Sequence, residues 1–300
     1  MRVAAVDIGT NTVRLLVADV VGDQIKDVDR AVEVVGLGRG IDSTGALAED
    51  SMDAALVALA GYGRRIQEAD PHHVRVVATS ASRDASNSSY FLEQVTKALG
   101  VAPEVISGDD EAGLAFAGAV WGAGSDGRHL VIDPGGGSTE FVVGGDRPDS
   151  SVSLDIGSVR LTDRMLGSRP PSPGELEGAV VHVRQMFEEA SLGRAPDVVI
   201  GVAGTFTSLA AIHLGLERYD RVRTHKAVLA LQDLDDLTAR LAVMTVDETA
   251  ALRSLDPKRA PVILSGAIIA AEAVRCSGLG AVTVSETDLL EGIVLQLSRK

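Results

Sequence analysis

The feature that most constrains the fold is a short pattern that occurs once in each half of the 300-residue chain. The first copy reads VDIGTNT at residues 6–12, and the second reads IDPGGGST at residues 132–139. In both copies an apolar run ends in Asp-x-Gly, turns through small polar residues and resumes as an apolar run. The pattern predicts two strand–turn–strand units, and a chain of this length is expected to divide into two domains.

The two turns have the chemistry of phosphate-binding loops. Glycine allows strained backbone angles and a close approach to a ligand, so that consecutive N–H groups can point at an anion. Aspartate at the end of a strand can hold a divalent cation next to phosphate oxygens. Two β-hairpin turns would select the same residue types, but the recurrence of the whole pattern favours phosphate loops.

Short β-rich runs alternate with longer helical patterns along the chain, which is typical of an α/β architecture. The apolar spacing predicts helices over 51–68, 87–99, 110–120, 205–216, 260–275 and 288–297. It predicts strands over 2–7, 12–20, 34–37, 74–78, 130–133, 140–143, 197–202 and 282–284. Residues 122–128 are rich in Gly, Ser and Asp and are the best candidate for a linker between domains.

Composition excludes several classes of protein. With 42 acidic and 28 basic residues the formal net charge is −14, which is the wrong sign for a general nucleic-acid binder. A polyanionic substrate would therefore need a local concentration of cations or backbone N–H groups. The single cysteine, Cys276, excludes an internal disulfide and fits a reducing compartment. Without a basic leader or a long apolar run, the sequence predicts a cytoplasmic protein that has no membrane segment.

Three further segments allow both a functional and a structural interpretation. Glu111 begins a helical run, where a carboxylate either complements the helix dipole, worth about 0.3–1 kcal/mol, or activates water. The spacing of Glu111 alone favours the dipole. Arg83 lies between a predicted strand and a predicted helix, where it either binds phosphate oxygens or forms a surface salt bridge. The turn at Gly204 and Thr205 opens a helix with free N–H groups, which could bind a nucleotide, a phosphate or nothing.

Taken together, these segments resemble the family of exopolyphosphatases and guanosine-pentaphosphate phosphohydrolases, in the actin-like and Hsp70-like ATPase superfamily. The resemblance runs from end to end of the chain and is carried by residues 5–12, 78–83, 106–112, 131–140, 155–162, 201–205, 284–286 and 290–292. It implies an α/β fold of two ribonuclease H-like domains with a cleft between them. It places the first domain at residues 1–122 plus 288–300, the latter as a closing helix, and the second domain at residues 123–287.

The resemblance also implies roles for individual residues. Glu111 becomes the catalytic base, which reverses the conclusion from spacing alone. The implied metal-associated carboxylates are Asp7, Asp133 and Glu140, with Mg²⁺ or Mn²⁺ as cofactor. The implied phosphate-binding residues are Thr10, Asn11, Arg83, Gly135, Gly136, Gly137, Ser138, Gly204 and Thr205.

Two residues depart from the family pattern. Gly113 stands where family members commonly have an arginine, and this change is expected to weaken the binding of an extended polyanion. Pro134 replaces an aliphatic residue and removes one backbone N–H from the loop. The chain also ends without the additional C-terminal domains of the longer members, which weakens the expectation of processive action on long polymers.

The sequence therefore predicts an exopolyphosphatase that releases orthophosphate by in-line attack of a water molecule activated by Glu111. Guanosine pentaphosphate is the alternative substrate. A kinase or ATPase of the same fold, or a non-catalytic sensor of such nucleotides, is a further alternative. No DNA, RNA or membrane partner is expected, and a homodimer is suggested only by the resemblance.

Overall fold

The computed structural model describes residues 1–22, 24–124, 127–188 and 195–299. Within these ranges the strands form two mixed sheets. The first sheet contains β1 (Arg2–Ile8), β2 (Thr12–Val21), β3 (Gln24–Val34), β4 (His73–Ala78) and β5 (Glu104–Val105). The second sheet contains β6 (His129–Pro134), β7 (Thr139–Gly144), β8 (Pro148–Leu154), β9 (Val198–Gly201), β10 (Val228–Ala230) and β11 (Ala281–Val284).

The two sheets share one strand order. In the first, β1, β2 and β3 form an antiparallel meander, while β1 pairs in parallel with β4 and β4 with β5. In the second, β6, β7 and β8 repeat the meander, while β6 pairs in parallel with β9 and β9 with β11. Strand β10 adds an antiparallel edge to β11. This is the strand order of a ribonuclease H-like domain, so the prediction of two such α/β domains is confirmed.

Helices flank both sheets. Those that follow strands of the first sheet are α1 (Ile41–Thr44), α2 (Glu49–Ala69), α3 (Ser80–Asp84), α4 (Ser88–Leu99) and α5 (Gly108–Ala123). Those that follow strands of the second sheet are α6 (Ser158–Met165), α7 (Pro173–Glu188), α8 (Ala203–His213), α9 (Arg221–Thr224), α10 (Leu231–Ala242), α11 (Val246–Ala250), a 3₁₀ turn (Pro257–Arg259), α12 (Ile263–Ser277) and α13 (Leu289–Leu297). We call β1–β5 with α1–α5 the first domain, and β6–β11 with α6–α12 the second domain.

Each domain has its own apolar core. Leu59 of α2 and Phe91 of α4 are fully buried in one cluster with side chains of β1 and β2. In the second domain, Phe141 of β7 meets Phe187 of α7 edge-on, with ring centroids 4.9 Å apart. Fully burying an apolar side chain of this size contributes about 1.5–3 kcal/mol, so these clusters fix each sheet to its helices.

Helix α13 packs against α5 and β1 of the first domain. The contact is close, because a Cβ atom on Gly118 of α5 would lie 1.9 Å from the carbonyl oxygen of Asp288, and one on Gly292 would lie 2.0 Å from that of Leu114. This placement is compatible with the expected closing helix, and the boundaries 1–122 plus 288–300 and 123–287 stay a prediction. Lys300 and residues 125–126 of the proposed linker lie outside the described ranges.

Several local predictions differ from the structure. The predicted strand at 34–37 is wrong, because Val34 ends β3 and the chain then turns. Strand β3 was not predicted because its apolar alternation is weak. It is an edge strand in which Val28 and Val32 are exposed among charged residues. Strand β8 and helices α6 and α10 were not predicted either. The helix that stops at Gly100 is confirmed, with a φ angle of 74° at that glycine.

No helix in the described ranges combines the length and the apolar character that crossing a bilayer requires.

Candidate active site

A cavity of about 560 Å³ opens between the two domains, at the carboxyl ends of β1 and β6. Both Asp-x-Gly turns contribute to its wall. Ligand sites at the carboxyl ends of strands are usual in α/β folds, because loops from several strands converge there. The predicted site residues that line the cavity are Asp7, Thr10, Asn11, Glu111, Asp133, Gly135, Gly136, Gly137, Ser138, Gly204 and Thr205.

The glycines of the second turn are required by close packing between the domains. A Cβ atom on Gly136 would lie 2.9 Å from Thr10 Cβ, and one on Gly137 would lie 2.5 Å from Ser80 Oγ. Neither glycine has a positive φ angle, so the expectation of strained backbone angles is wrong for them. A side chain at either position would push the two turns apart, and lack of space is therefore the reason for glycine.

Asp7 is held at the cavity wall by its cross-strand neighbour. Asp7 and Arg14 lie opposite each other in the β1–β2 ladder, and Arg14 Nε donates to Asp7 Oδ2 at 2.8 Å. The same guanidinium donates to Asp288, the residue before α13. Burial raises the pKa of Asp7, and its Oδ1 is buried without a hydrogen-bond partner in the described chain. An unsatisfied carboxylate oxygen at a cavity can serve as a ligand atom for a cation.

Glu111 lies in the first turn of α5, where Ser107 Oγ accepts a hydrogen bond from Asp110 N at 3.1 Å and so caps the helix. The Glu111 side chain is 14% exposed, and its Oε2 accepts a hydrogen bond from Arg83 Nη1 at 3.0 Å. Burial raises the pKa of Glu111 to about 7, although the Arg83 charge acts in the opposite direction. A carboxylate that titrates near neutral pH is suited to general base catalysis.

Arg83 does not line the cavity. Its Nη1 donates to the carbonyl oxygen of Ile106 at 2.8 Å as well as to Glu111. These contacts are those of a residue that orients the Glu111 carboxylate. The binding of phosphate by Arg83 stays a prediction.

Asp133 and Glu140 are cross-strand neighbours in the β6–β7 ladder, at the place that Asp7 and Arg14 occupy in the first domain. Asp133 lines the cavity, and burial together with the Asp288 charge raises its pKa to about 8. Glu140 does not line the cavity, is 1% exposed and accepts a hydrogen bond from Ser153 Oγ at 2.7 Å.

The carboxylates of this region repel one another. Burial raises the pKa of Glu140, and the charges of Glu111 and Asp133 raise it further. A cation close to such groups would lower their pKa values and so stabilise their ionised forms. In the described ranges, no three His, Cys, Asp or Glu side chains are arranged to hold a metal ion on their own.

Another part of the cavity wall is the start of α8. Ala203 has a φ angle of 63°, in the left-handed region that side chains rarely adopt. Thr205 Oγ1 donates to the carbonyl oxygen of Pro134 at 3.1 Å, which ties α8 to the end of β6. A Cβ atom on Gly204 would lie 2.1 Å from Arg259 Nη1. The Arg259 guanidinium thus lies directly against the N-terminus of α8.

The Arg259 guanidinium makes no direct hydrogen bond or ion pair with a described residue. Burial lowers its pKa, and the nearby Asp256 carboxylate acts in the opposite direction. A helix N-terminus carries partial positive charge and free N–H groups. Together, Arg259 and the start of α8 form a positively charged surface on which an anion can bind.

Sequence reasoning missed the arginines of the cavity. Those that line it are Arg14, Arg30, Arg218, Arg221, Arg253 and Arg259. Arg14 could have been identified from the sequence, because a charged residue in the middle of an apolar strand is unusual. The others lie far apart in the sequence and in no recognisable motif. Four of the cavity arginines, Arg14, Arg30, Arg221 and Arg253, are ion-paired with carboxylates. Arg218 and Arg259 form no ion pair with a described residue, so their positive charge is available to an anion in the cavity.

Comparison with known proteins gives the family. The model of the Ppx/GppA phosphatase family matches residues 16–300. The chain belongs to the Ppx/GppA phosphatase family. The Ppx/GppA assignment agrees with the resemblance that the two Asp-x-Gly turns and the Glu111 segment suggested.

Individual Ppx/GppA proteins are similar over the whole chain. Exopolyphosphatase 2 of Mycobacterium tuberculosis is 40% identical, over 99% of this chain and 98% of that protein. A crystal structure of an exopolyphosphatase-like protein superposes with a TM-score of 0.95 at 34% identity, covering 99% of this chain and 98% of that one. The guanosine-5'-triphosphate,3'-diphosphate pyrophosphatase of Vibrio vulnificus is 30% identical, over 98% of this chain and 59% of that longer protein.

Proposed function

We propose that this protein hydrolyses the terminal phosphoanhydride bond of inorganic polyphosphate and releases orthophosphate. The observation that carries the proposal is the Glu111 carboxylate, which lines the cavity between the domains and has a pKa raised to about 7 by burial. At neutral pH a large fraction of such a group is ionised, so it can accept a proton from water as the water attacks phosphorus. The 40% identity to an exopolyphosphatase supports polyphosphate as the substrate.

The proposed reaction is an in-line displacement. Glu111 takes a proton from water, the water oxygen bonds to the terminal phosphorus, and the bond from that phosphorus to the bridging oxygen breaks. The shortened polyphosphate leaves with the bridging oxygen, and orthophosphate is the second product. Such reactions depend mainly on positioning and on stabilising charge at the equatorial phosphate oxygens.

Positively charged groups around the cavity suit a chain of phosphates. The turn at Gly136 and Gly137 and the start of α8 line the cavity, and Arg259 makes no hydrogen bond or ion pair with a described residue. We propose that the terminal phosphate lies between the two Asp-x-Gly turns. The next phosphates would follow the wall towards Arg259 and Arg218.

A divalent cation fits the carboxylates of the cavity. Asp7 Oδ1 is buried without a partner in the described chain, and burial raises the pKa of Asp133 to about 8, as expected for a buried carboxylate beside other acidic groups. Hard oxygen ligands favour Mg²⁺ or Mn²⁺, and a few carboxylates with water and phosphate oxygens complete the shell of Mg²⁺ in many enzymes. When bound, the cation would neutralise charge on the phosphate oxygens. We propose Asp7 and Asp133 as its ligands, with Glu140 behind Asp133.

Guanosine pentaphosphate is the second candidate substrate. A relative of 30% identity is named as a guanosine-5'-triphosphate,3'-diphosphate pyrophosphatase. The terminal phosphate of such a nucleotide would occupy the same position next to Glu111. Tyr219 and Val32 also line the cavity and offer apolar surface for a nucleobase.

Release of orthophosphate from a panel of substrates tests the proposal. Short polyphosphate, long polyphosphate and guanosine pentaphosphate are each supplied with Mg²⁺ or Mn²⁺, and the rate is compared with that in chelator. We expect metal-dependent release with the highest kcat/KM on polyphosphate. A higher kcat/KM on guanosine pentaphosphate would select the second candidate, and no release from any of the three by folded protein would contradict both.

A further inference from the structure

Helix α6 of the second domain starts on the glycine turn of the cavity. The N–H groups of Ser158 and Val159 donate to the carbonyl oxygens of Gly135 and Gly136, each at 2.9 Å, and Arg160 N donates to Gly136 O at 3.2 Å. Hydrogen bonds to consecutive carbonyls fix the turn and the first residues of α6 as one unit. A side chain at the start of α6 is therefore tied to the position of the turn.

The Arg160 side chain crosses from this unit to the first domain. It is 8% exposed, and its guanidinium pairs with Asp84 at the end of α3, with Asp42 of α1 at 3.3 Å and with Asp155 at 3.4 Å. Arginine presents several N–H donors in a rigid planar fork, so one guanidinium can hold several carboxylates in fixed directions. Because Asp84 and Asp42 belong to the first domain, Arg160 joins the two walls of the cavity.

Helix α3 connects the contact between Arg160 and Asp84 to Glu111. Asp84 follows directly after Arg83, and neighbouring residues of a helix point about 100° apart. Asp84 faces Arg160, while Arg83 faces Glu111 and donates to it at 3.0 Å.

Helix α3 has five residues, so few backbone hydrogen bonds hold it in place. Ala81 anchors the start of α3, through its burial in the core of the first domain and through a hydrogen bond from its N–H to Thr10 Oγ1 at 3.2 Å. The orientation of the other end of α3, at Arg83 and Asp84, depends on contacts made by side chains.

We propose that Arg160 is a positioning residue, which holds α3 through Asp84 when the cleft is closed and thereby keeps Arg83 on the Glu111 carboxylate. The inference rests on the proposed role of Glu111 as the base. It links closure of the two domains to orientation of the base. An open cleft would separate Arg160 from Asp84 and leave Glu111 without its partner in the right place.

The chain offers a matched control on the same helix. Arg164 also pairs with Asp42 of the first domain, but it does not reach Asp84, and it is 40% exposed. Exposed ion pairs of this kind contribute little to stability. Arg164→Gln therefore removes a contact between the domains without touching α3.

The test is a double-mutant cycle on the wild-type reaction. We expect Arg160→Gln to lower kcat by about tenfold or more, since small misplacements of a catalytic group are costly, with KM changed much less. Arg164→Gln is expected to stay close to wild type. In an Arg83→Gln background, Arg160→Gln should have no further effect, because its contribution passes through Arg83. Multiplicative effects of the two substitutions, or equal losses in Arg160→Gln and Arg164→Gln, would overturn the proposal.

Hydrogen–deuterium exchange without substrate gives a second readout. Arg160→Gln should speed amide exchange in residues 80–84, Arg164→Gln should leave it unchanged, and Arg160→Lys should give an intermediate rate because a single ammonium cannot span both carboxylates. Unchanged exchange in Arg160→Gln would contradict the positioning role, even if the wild type hydrolysed none of the substrates. Failure of hydrolysis alone would contradict the proposed function and not this contact. Far-UV circular dichroism confirms that each variant is folded.

Discussion

The Arg83 guanidinium donates to Glu111 Oε2 at 3.0 Å, although the two residues lie on different helices and are 28 positions apart in the chain. Two opposing effects act on the pKa of the Glu111 carboxyl group. Burial raises the pKa of Glu111 to about 7, and the positive charge of Arg83 limits that rise. The protonation of the proposed base is therefore balanced close to neutral pH.

The first prediction is the pH dependence of catalysis. The ionised form of Glu111 is the proposed base. Burial raises the pKa of Glu111 to about 7, so kcat/KM should rise as the pH increases through about 7. Arg83→Gln removes the charge that lowers this pKa, so the acidic limb should move to higher pH. A pH profile of orthophosphate release measures both. A limb that stays at the same pH in Arg83→Gln would show that another group is being titrated.

The second prediction tests whether Glu111 acts as a general base or only complements the dipole of α5. Glu111→Gln should lower kcat by about 10²–10⁴-fold, the usual contribution of a general base, and leave the melting temperature unchanged or higher. Asp110→Asn, in the same helical turn, is the control and should lose less than about twofold. Asp110 does not line the cavity, and its carboxylate complements the helix dipole and accepts a hydrogen bond from Ser107 Oγ at 2.7 Å. Comparable losses in the two variants would contradict the assignment of Glu111.

The third prediction concerns the stability of the metal-free protein. Burial raises the pKa of Asp133 to about 8 in the folded state, against 3.8 for an ordinary aspartate. The folded state therefore retains a proton that the unfolded chain has lost, and this group makes stability fall as the pH rises between about 4 and 8. Asp133→Asn removes this fall in stability. The variant should therefore melt at a higher temperature than the wild type, and the difference should be larger at pH 8 than at pH 5.

Thermal unfolding in chelator at the two pH values measures this difference. Asp53→Asn, at an exposed position of α2, should show no such dependence. An equal effect of Asp133→Asn at both pH values would mean that Asp133 is already ionised in the folded protein at pH 5.

The fourth prediction concerns substrate binding by Arg259. Because the Arg259 guanidinium makes no hydrogen bond or ion pair with a described residue, and its burial lowers its pKa, Arg259→Gln should not lower the melting temperature. It should lower kcat/KM by roughly 10- to 100-fold, as expected for a charge-assisted hydrogen bond to phosphate worth about 1.5–3 kcal/mol. Arg240→Gln, at an exposed position of α10, is the control. Loss of stability with unchanged kinetics would assign Arg259 a structural role.

The fifth prediction concerns the contact between α5 and α13. A Cβ atom on Gly118 would lie 1.9 Å from Asp288 O, so Gly118→Ala should force α13 away and cost about 1–3 kcal/mol of unfolding free energy or more. A Cβ atom on Gly113 of the same helix would meet no atom of the described residues within 4 Å. Gly113→Ala should therefore stabilise by up to about 1 kcal/mol through helix propensity. Denaturant unfolding compares the two variants, and equal effects would contradict the close packing of the two helices.

Much of the fold could be predicted from local sequence. The two Asp-x-Gly turns predicted the strand pairs β1–β2 and β6–β7, and apolar spacing predicted α2, α4 and α12. Strand β3 could not be predicted, because a charged edge strand takes its hydrogen bonds from its neighbour and not from an apolar pattern. Helix α6 was missed for a similar reason, since it is held by the glycine turn and by ion pairs of Arg160.

The sequence by itself determined the two-domain α/β fold and the glycine turns. Together with the Glu111 segment, those turns also indicated the family. Only the tertiary structure decided that Arg83 contacts Glu111, that Glu140 does not line the cavity, and that Arg14 and Arg259 do. The reason is physical: these relationships depend on packing between segments far apart in the chain. Burial then raises the pKa of Glu111, against the charge of Arg83, and the pKa of Asp133, together with the charge of Asp288, which no local pattern encodes. The two turns were recognisable in the sequence. Only the tertiary structure showed that they face each other across one cavity.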